Sequence, residues 1–319
     1  MTPLFGKLFG SGSLVGVDAG SQAIKVVAVR AASASQFTLE GMGSVPTPPE
    51  VFARGQLQDA KRLGAAIRQA LEQGQIRGRK AALAVPAQVG FIRRISFPRM
   101  PAKELRAAID LQPERYIPFA RDGAIYDIYP LQAEPEKPEI PVIVAAAPRA
   151  AVEGLMEAAR QAGLTPVRID LEPLTLFRAA VATGQASQEA STGIVDLGGS
   201  AAKISLFEGD IPVISRVVDM PGMGPGDRAV ATDDLFWDIR RSLEFALTQL
   251  RVPLTRVLVT GGVGGDDYLA LSLAAYLRGF LANRLPGNFV VEPMRDAAGR
   301  IPLSHMLAFG LSLPPELFS

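Results

Sequence analysis

Cysteine is absent from all 319 residues, which excludes disulfides, thiolate metal sites and a cysteine nucleophile. Histidine occurs once, at His305, so neither a histidine-rich zinc site nor an intramolecular histidine pair can form. An excess of either charge is missing too. Lys and Arg number 33 against 32 Asp and Glu. That balance gives no general electrostatic handle for DNA or RNA, and no nucleic-acid partner is expected. No uncharged apolar run is long enough to cross a bilayer. Met1 to Gly16 carries one lysine, no long apolar core and glycines at 6, 10, 12 and 16, unlike a secretory signal. The expectation is a cytosolic protein that reaches a membrane only through a partner or a weak amphipathic contact.

What is present is ordinary globular material of a length natural for two α/β lobes. Leu14 to Ser21 reads as an apolar strand ending in a turn, with Ile24 to Val29 as the returning strand. Gly20 allows the tight turn, Ser21 adds a hydroxyl, and Lys25 either supplies a charge or faces solvent. Asp18, at the strand end, repels phosphate directly. Its useful role would be to hold the water shell of Mg²⁺.

The pattern returns far along the chain. After a polar break from Gly184 to Ser191, Gly193 to Ser200 forms a second strand and turn carrying Asp196, Gly198, Gly199 and Ser200, and Lys203 introduces the next strand. Such an internal echo says more than either copy alone. Two opposed hairpins of this kind make a polyphosphate clamp, with backbone donors holding oxygens and two carboxylates holding a hydrated ion. The alternative is an old duplication whose aspartates only stabilise turns. A third strand and turn, Arg256 to Gly265, brings Gly261 and Gly262, suited to close backbone approach to a nucleoside, and it lacks the Lys-Ser/Thr of a P-loop.

Between these motifs, helices are expected over Gln58 to Glu72, Ala102 to Arg115 and Ala150 to Ala162. Strands are expected over Ala81 to Val85, Ile125 to Leu131, Ile140 to Ala147 and Pro166 to Ile169. The alternation reads as a small α/β module inserted in the first lobe. Pro118 fixes a bend that presents Tyr116 and Phe119, preferably as a cap on that module's core. Gln132 to Glu139 reads as an exposed hairpin tip. Asp170 and Glu172 follow the last strand. Glu172 is the candidate catalytic group, orienting an attacking water, although capping the helix that begins near Pro173 is the preferred reading. His305 is given no chemistry.

The ordered motifs resemble the actin-like ATPase superfamily and, within it, the PilM family of type IV pilus assembly proteins. The resemblance rests on Gly16 to Ser21 with Lys25, on Val195 to Ser200 and on Thr260 to Gly264. Glu114 to Phe119, Val144 to Pro148 and Ile169 to Leu174 add features particular to that branch. It implies an actin-like two-lobed fold of duplicated ribonuclease H-like domains, with a 1C-type insertion. The corresponding bounds are 1–86 for the start of the first lobe, 87–168 for the insertion and 169–183 for a crossover helix. Residues 184–299 would form the second lobe and 300–319 a segment returning to the first.

Ligands and partners follow from the resemblance alone. ATP with Mg²⁺ would lie between the lobes, held by both hairpins and by Gly261 and Gly262. The cytoplasmic N-terminal peptide of PilN would bind beside the insertion, linking the chain indirectly to PilO, PilP and the pilus motor ATPases. Self-association also belongs to such folds. This sequence departs from the family between Asp196 and Gly261. The interval is short and Pro221 to Gly226 interrupts it, which reduces the 2B region that encloses adenosine and weakens the expectation of ATP. Any hydrolysis would be slow and regulatory. The alternative is a nucleotide-independent scaffold, ahead of an FtsA-like cell-division protein or a sugar-kinase-like enzyme.

Overall fold

Strands form where apolar runs stop at glycine or proline, and helices where an apolar stripe recurs between polar residues. The computed structural model describes residues 13–31, 36–53, 55–131, 136–187, 189–220, 228–261, 268–282, 289–295 and 299–314. The chain begins with β1 (Leu14–Ala19), β2 (Ala23–Ala31) and β3 (Phe37–Pro46), then a short hairpin of β4 (Phe52–Ala53) and β5 (Gln56–Leu57). Helix α1 (Ala60–Gln73) follows, capped by the Asp59 carboxylate, which accepts the Arg62 N–H at 2.9 Å. Next come β6 (Lys80–Val85), β7 (Phe91–Pro98), α2 (Ala102–Leu111), β8 (Ala124–Pro130), β9 (Glu139–Pro148), α3 (Arg149–Gln161) and β10 (Thr165–Leu171). The rest comprises α4 (Glu172–Ala182), β11 (Ser191–Leu197), β12 (Ala201–Glu208), β13 (Ile211–Asp219), α5 (Arg228–Thr248), β14 (Leu254–Gly261), α6 (Tyr268–Leu281), β15 (Val290–Pro293) and α7 (Met306–Ser312).

Two five-stranded sheets carry the lobes, in the orders β10-β6-β1-β2-β3 and β13-β12-β11-β14-β15. The central strands pair identically in both. β1 runs antiparallel to β2 and parallel to β6, and β11 runs antiparallel to β12 and parallel to β14. One apolar cluster fills the first lobe between its sheet, α1 and α3, and a larger one runs from the second-lobe sheet through residues of α4 and α7 to Val27 and Val29 of β2. Among the described residues, no helix is long and apolar enough to cross a membrane.

A separate three-stranded sheet, β7-β9-β8, forms the insertion and packs its core against α2. This narrows the expected insertion. β10 pairs parallel with β6 in the first-lobe sheet, and α3 packs into the first-lobe core beside α1. The segment from α3 to β10, read above as part of the insertion, therefore belongs to the lobe. Helix α2 also stops earlier than expected. Pro113 lacks an N–H, and Pro113–Arg115 forms a 3-10 turn instead. Tyr116 then packs on Phe97 with ring centroids 5.1 Å apart, and both Tyr116 and Phe119 lie against the insertion's core rather than in the cleft. β7 lies beside β13 of the second lobe, where Arg94 and Glu208 pair at 3.6 Å. Part of the Gln132 to Glu139 connector, and the Pro221 to Gly226 interruption, lie outside the described residues.

Helices α4 and α7 pack against each other, and α7 lies on β1 and β2. A buried charge network fastens this junction. Asp170 of β10 pairs with Arg178 of α4 at 2.7 Å and with Arg168 at 3.8 Å. Arg178 also donates to the Gly310 carbonyl at 3.3 Å, and Arg168 donates to the Leu311 and Leu313 carbonyls at the end of α7. Carbonyls at a helix C-terminus lack a full set of intrahelical donors, and the arginines supply donors to these. Burial alone would raise the Asp170 carboxyl, but Arg178 and Arg168 outweigh it and hold it below the ordinary range.

Candidate functional site

Each lobe presents a β-hairpin to the gap between them, and strand register sets the same pair at each mouth. Asp18 lies directly opposite Lys25 in the β1–β2 ladder, and Asp196 directly opposite Lys203 in the β11–β12 ladder. Both pairs close at 3.3 Å. The turns also match. A methyl added to Gly20 would come within 2.7 Å of the Ala23 carbonyl, and one added to Gly198 within 2.8 Å of the Ala201 carbonyl. Only glycine lets either turn close.

The hairpins meet at their tips. Ser21 Oγ donates to Ser200 Oγ at 3.2 Å, and Gln22 Nε2 donates to the Gly199 carbonyl at 3.2 Å. Behind this junction lies a cavity of about 450 Å³ lined by both hairpins, Glu172, Thr260, Gly261 and His305. Gly261 has φ of +87°, and a Cβ there would lie 2.6 Å from Asp196 Oδ1. Its bareness lets the end of β14 approach the Asp196 carboxylate. Thr260 donates from Oγ1 to the Leu303 carbonyl at 3.1 Å, fixing the chain before His305. Gly262 lies outside the described residues.

Glu172 does not cap α4 as expected. The N-cap residue is Leu171, which makes no side-chain cap, and Glu172 is the helix's first residue. Its Oε2 accepts the Ala87 N–H at 2.7 Å and its Oε1 accepts from Lys203 Nζ at 2.9 Å. The carboxylate is turned across the cleft onto the opposite lobe. Burial alone would lower the Lys203 ammonium. The charges of Glu172 and Asp196, with the Glu172 hydrogen bond and the more distant Asp18, raise it well above the ordinary lysine range.

Three residues of this site carried no role in the sequence reading: Lys203, Gln22 and His305. For Lys203 a signal existed, because it stands from Asp196 as Lys25 stands from Asp18. His305 is 9 % exposed and lines the cavity, with Ser304 Oγ at 3.1 Å from Nδ1. Burial and nearby Lys25 push it down to about 4, against smaller upward pulls from Asp18 and a backbone hydrogen bond with Gly43. It is neutral at pH 7.

The titratable lining tests the fit of Mg·ATP. It comprises Asp18, Glu172 and Asp196 against Lys25 and Lys203, with neutral His305 and no arginine. Each carboxylate already has an ammonium within 3.3 Å. Among the described residues, no three His, Asp or Glu side chains are grouped to hold a metal ion. A divalent ion about 4 Å from the Lys203 charge would meet roughly 8 kcal/mol of repulsion at an effective dielectric of 20. As arranged, these residues do not fit a divalent cation beside Asp196.

Comparison with known proteins agrees with this architecture. A sequence model of the family described as "Type IV pilus assembly protein PilM" matches residues 16–224. A search of curated protein sequences gives no match. Among solved structures, the fold is similar to that in a "PilM-PilN type IV pilus biogenesis complex", with TM-score 0.77 and 24% identity, covering 95% of this chain and 98% of that one. It is also similar to the ethanolamine utilization protein EutJ from Carboxydothermus hydrogenoformans, with TM-score 0.51 and 14% identity, covering 98% of this chain and 91% of that one. The fold is thus actin-like, and since the family match spans more than half of its length, the chain belongs to the PilM family of type IV pilus assembly proteins.

Proposed function

We propose that this chain is the actin-like cytoplasmic component of a type IV pilus inner-membrane platform. In this reading it binds the cytoplasmic N-terminal peptide of PilN, which holds it at the membrane face and links it indirectly to PilO, PilP and the motor ATPases. The observation that carries the proposal is PilM family membership across the first lobe, the inserted sheet and the second hairpin. The insertion also supports it, because Ile125 and Tyr129 share the face of β8 that alternates with the core-facing Tyr126 and Ile128, and both are exposed. An extended apolar peptide suits such a surface. The test is calorimetry of the folded chain with the PilN cytoplasmic peptide and no nucleotide. Saturable one-to-one binding is the expected result. Folded protein that takes up no peptide at high concentration would end the proposal.

The actin-like fold is in general a nucleotide- and magnesium-binding one, and the cavity is of ligand size. Its lining nevertheless favours the scaffold reading over the ATPase reading. A polyphosphate would meet three acidic side chains and two lysines, each lysine already paired. Both oxygens of Glu172 are engaged, which argues against it as a free base for attacking water or for a sugar hydroxyl. Peptide binding in this reading needs no hydrolysis. A steady phosphate release from ATP that depends on Glu172 would restore the enzymatic alternative.

A further inference from the structure

Lys203 stands where carboxylates from separate parts of the chain converge. Its Nζ lies 2.9 Å from Glu172 Oε1, at the start of α4, and 3.3 Å from Asp196 Oδ2 on β11. Asp18 lines the same cavity from the first lobe. The side chains of Lys203, Glu172 and Asp196 are 12%, 7% and 10% exposed, so water screens them little. Hydrated magnesium keeps most of its waters and presents their hydrogens to carboxylates. An ammonium presents three N–H donors from one compact positive charge. The two satisfy the same acidic cleft in the same way, and only one of them can occupy it.

We propose that Lys203 is a built-in replacement for a divalent cation, which keeps the cleft closed and charge-balanced without magnesium. The lysine joins the lobes because Glu172 belongs to the crossover helix and Asp196 to the second-lobe hairpin. It therefore performs the bridging that a bound ion would otherwise perform. The inference concerns the cleft alone and does not depend on PilN: loss of peptide binding would leave it standing, and its own failure would leave the peptide reading untouched.

The test is a Mn²⁺ titration of the full chain, followed by loss of the free-ion paramagnetic resonance signal, with the melting temperature read in Mg²⁺ and in chelator. Wild type should take up no stoichiometric Mn²⁺ and melt at the same temperature in both. Lys203→Met should bind one Mn²⁺ per chain at least tenfold more tightly than wild type and gain melting temperature with Mg²⁺. Because that variant leaves buried carboxylates unpaired, Glu172→Gln/Lys203→Met is carried alongside, with one carboxylate fewer to destabilise the fold. It too should bind Mn²⁺ more tightly than wild type. One Mn²⁺ per wild-type chain, abolished by Asp196→Asn, would overturn the proposal. So would a folded Lys203→Met or double variant that binds no more Mn²⁺ than wild type.

Discussion

Ser21 and Ser200 occupy equivalent turns of two hairpins in one chain, and their hydroxyls meet at 3.2 Å. The contact is exposed, so its net worth is about 1 kcal/mol. Such a bond cannot hold two lobes together. The buried Glu172–Lys203 pair and the α4–α7 junction do that, and the serines only mark where the tips arrive.

Lys203→Met should destabilise the fold by about 3–5 kcal/mol at neutral pH, because Glu172 and Asp196 then lose their buried partner. Burial already raises Glu172 above the ordinary carboxylate range, the Lys203 charge opposes that rise, and Asp196 adds to it. Without the ammonium the rise grows. A raised carboxyl favours folding below its unfolded value of 4.5 and loses that contribution as pH climbs through the folded value. The deficit of the variant against wild type should therefore shrink in urea titrations as pH falls from 7 toward 4.5. A deficit independent of pH would contradict the pairing.

Gly16→Ala should cost about 3 kcal/mol, at the upper end of overpacking penalties. The added methyl would overlap the Ala308 carbonyl and lie 2.6 Å from the Ser312 N–H of α7. Backbone, not a movable side chain, stands in the way. Gly123→Ala is the control: a Cβ there meets nothing within 4 Å, and the change should stay within about 0.5 kcal/mol. Equal effects in chemical denaturation would remove the argument that α7 is seated on β1 by this contact.

The hairpins were legible because their cues are local: an apolar run, an acid at its end, a glycine turn. Sheet membership was not. Strand β10 reads the same whether it joins the insertion or pairs with distant β6, and only the tertiary pairing decides. Glu172 was misread for a related reason. Acidic residues at helix starts are commonly caps, and the partner that draws this one away, Lys203, comes from another lobe. His305 sits in an apolar sequence with no local sign that it faces the cavity. The echo of Lys25 in Lys203 was visible, but its meaning required the β11–β12 register.

Asp170→Asn should destabilise by about 3–5 kcal/mol, since it leaves Arg168 and Arg178 as buried charges without their carboxylate. The wild-type contribution follows from a depressed carboxyl: present above the unfolded value of 3.8 and lost as pH falls below it. Acid unfolding of wild type and variant should accordingly converge below pH 3.8. Arg178→Met tests the same network from α4 and should not add its full cost to that of Asp170→Asn, because the two share one interaction.

His305→Gln gives a pH signature of opposite origin. The native ring titrates at about 4, whereas the unfolded ring titrates near 6.5. As pH falls through 6.5 the unfolded chain takes up a proton that the native cleft refuses, so wild-type stability drops between pH 6.5 and about 4 and levels off below that. The difference amounts to about 3 kcal/mol across this window. Glutamine cannot titrate, and the variant should lack that part of the slope while keeping the carboxylate-driven loss at lower pH. Lys25 and Asp18 both act on the ring, so the second arm is Lys25→Met. Removing that charge should lift the native ring above 4, so the loss still begins near pH 6.5, where the unfolded ring titrates, but levels off at a higher pH and is smaller in total. Urea denaturation at half-unit steps from pH 7 to pH 4 separates the arms, and parallel curves for wild type and His305→Gln would show that the ring is solvated rather than held neutral against the cavity wall.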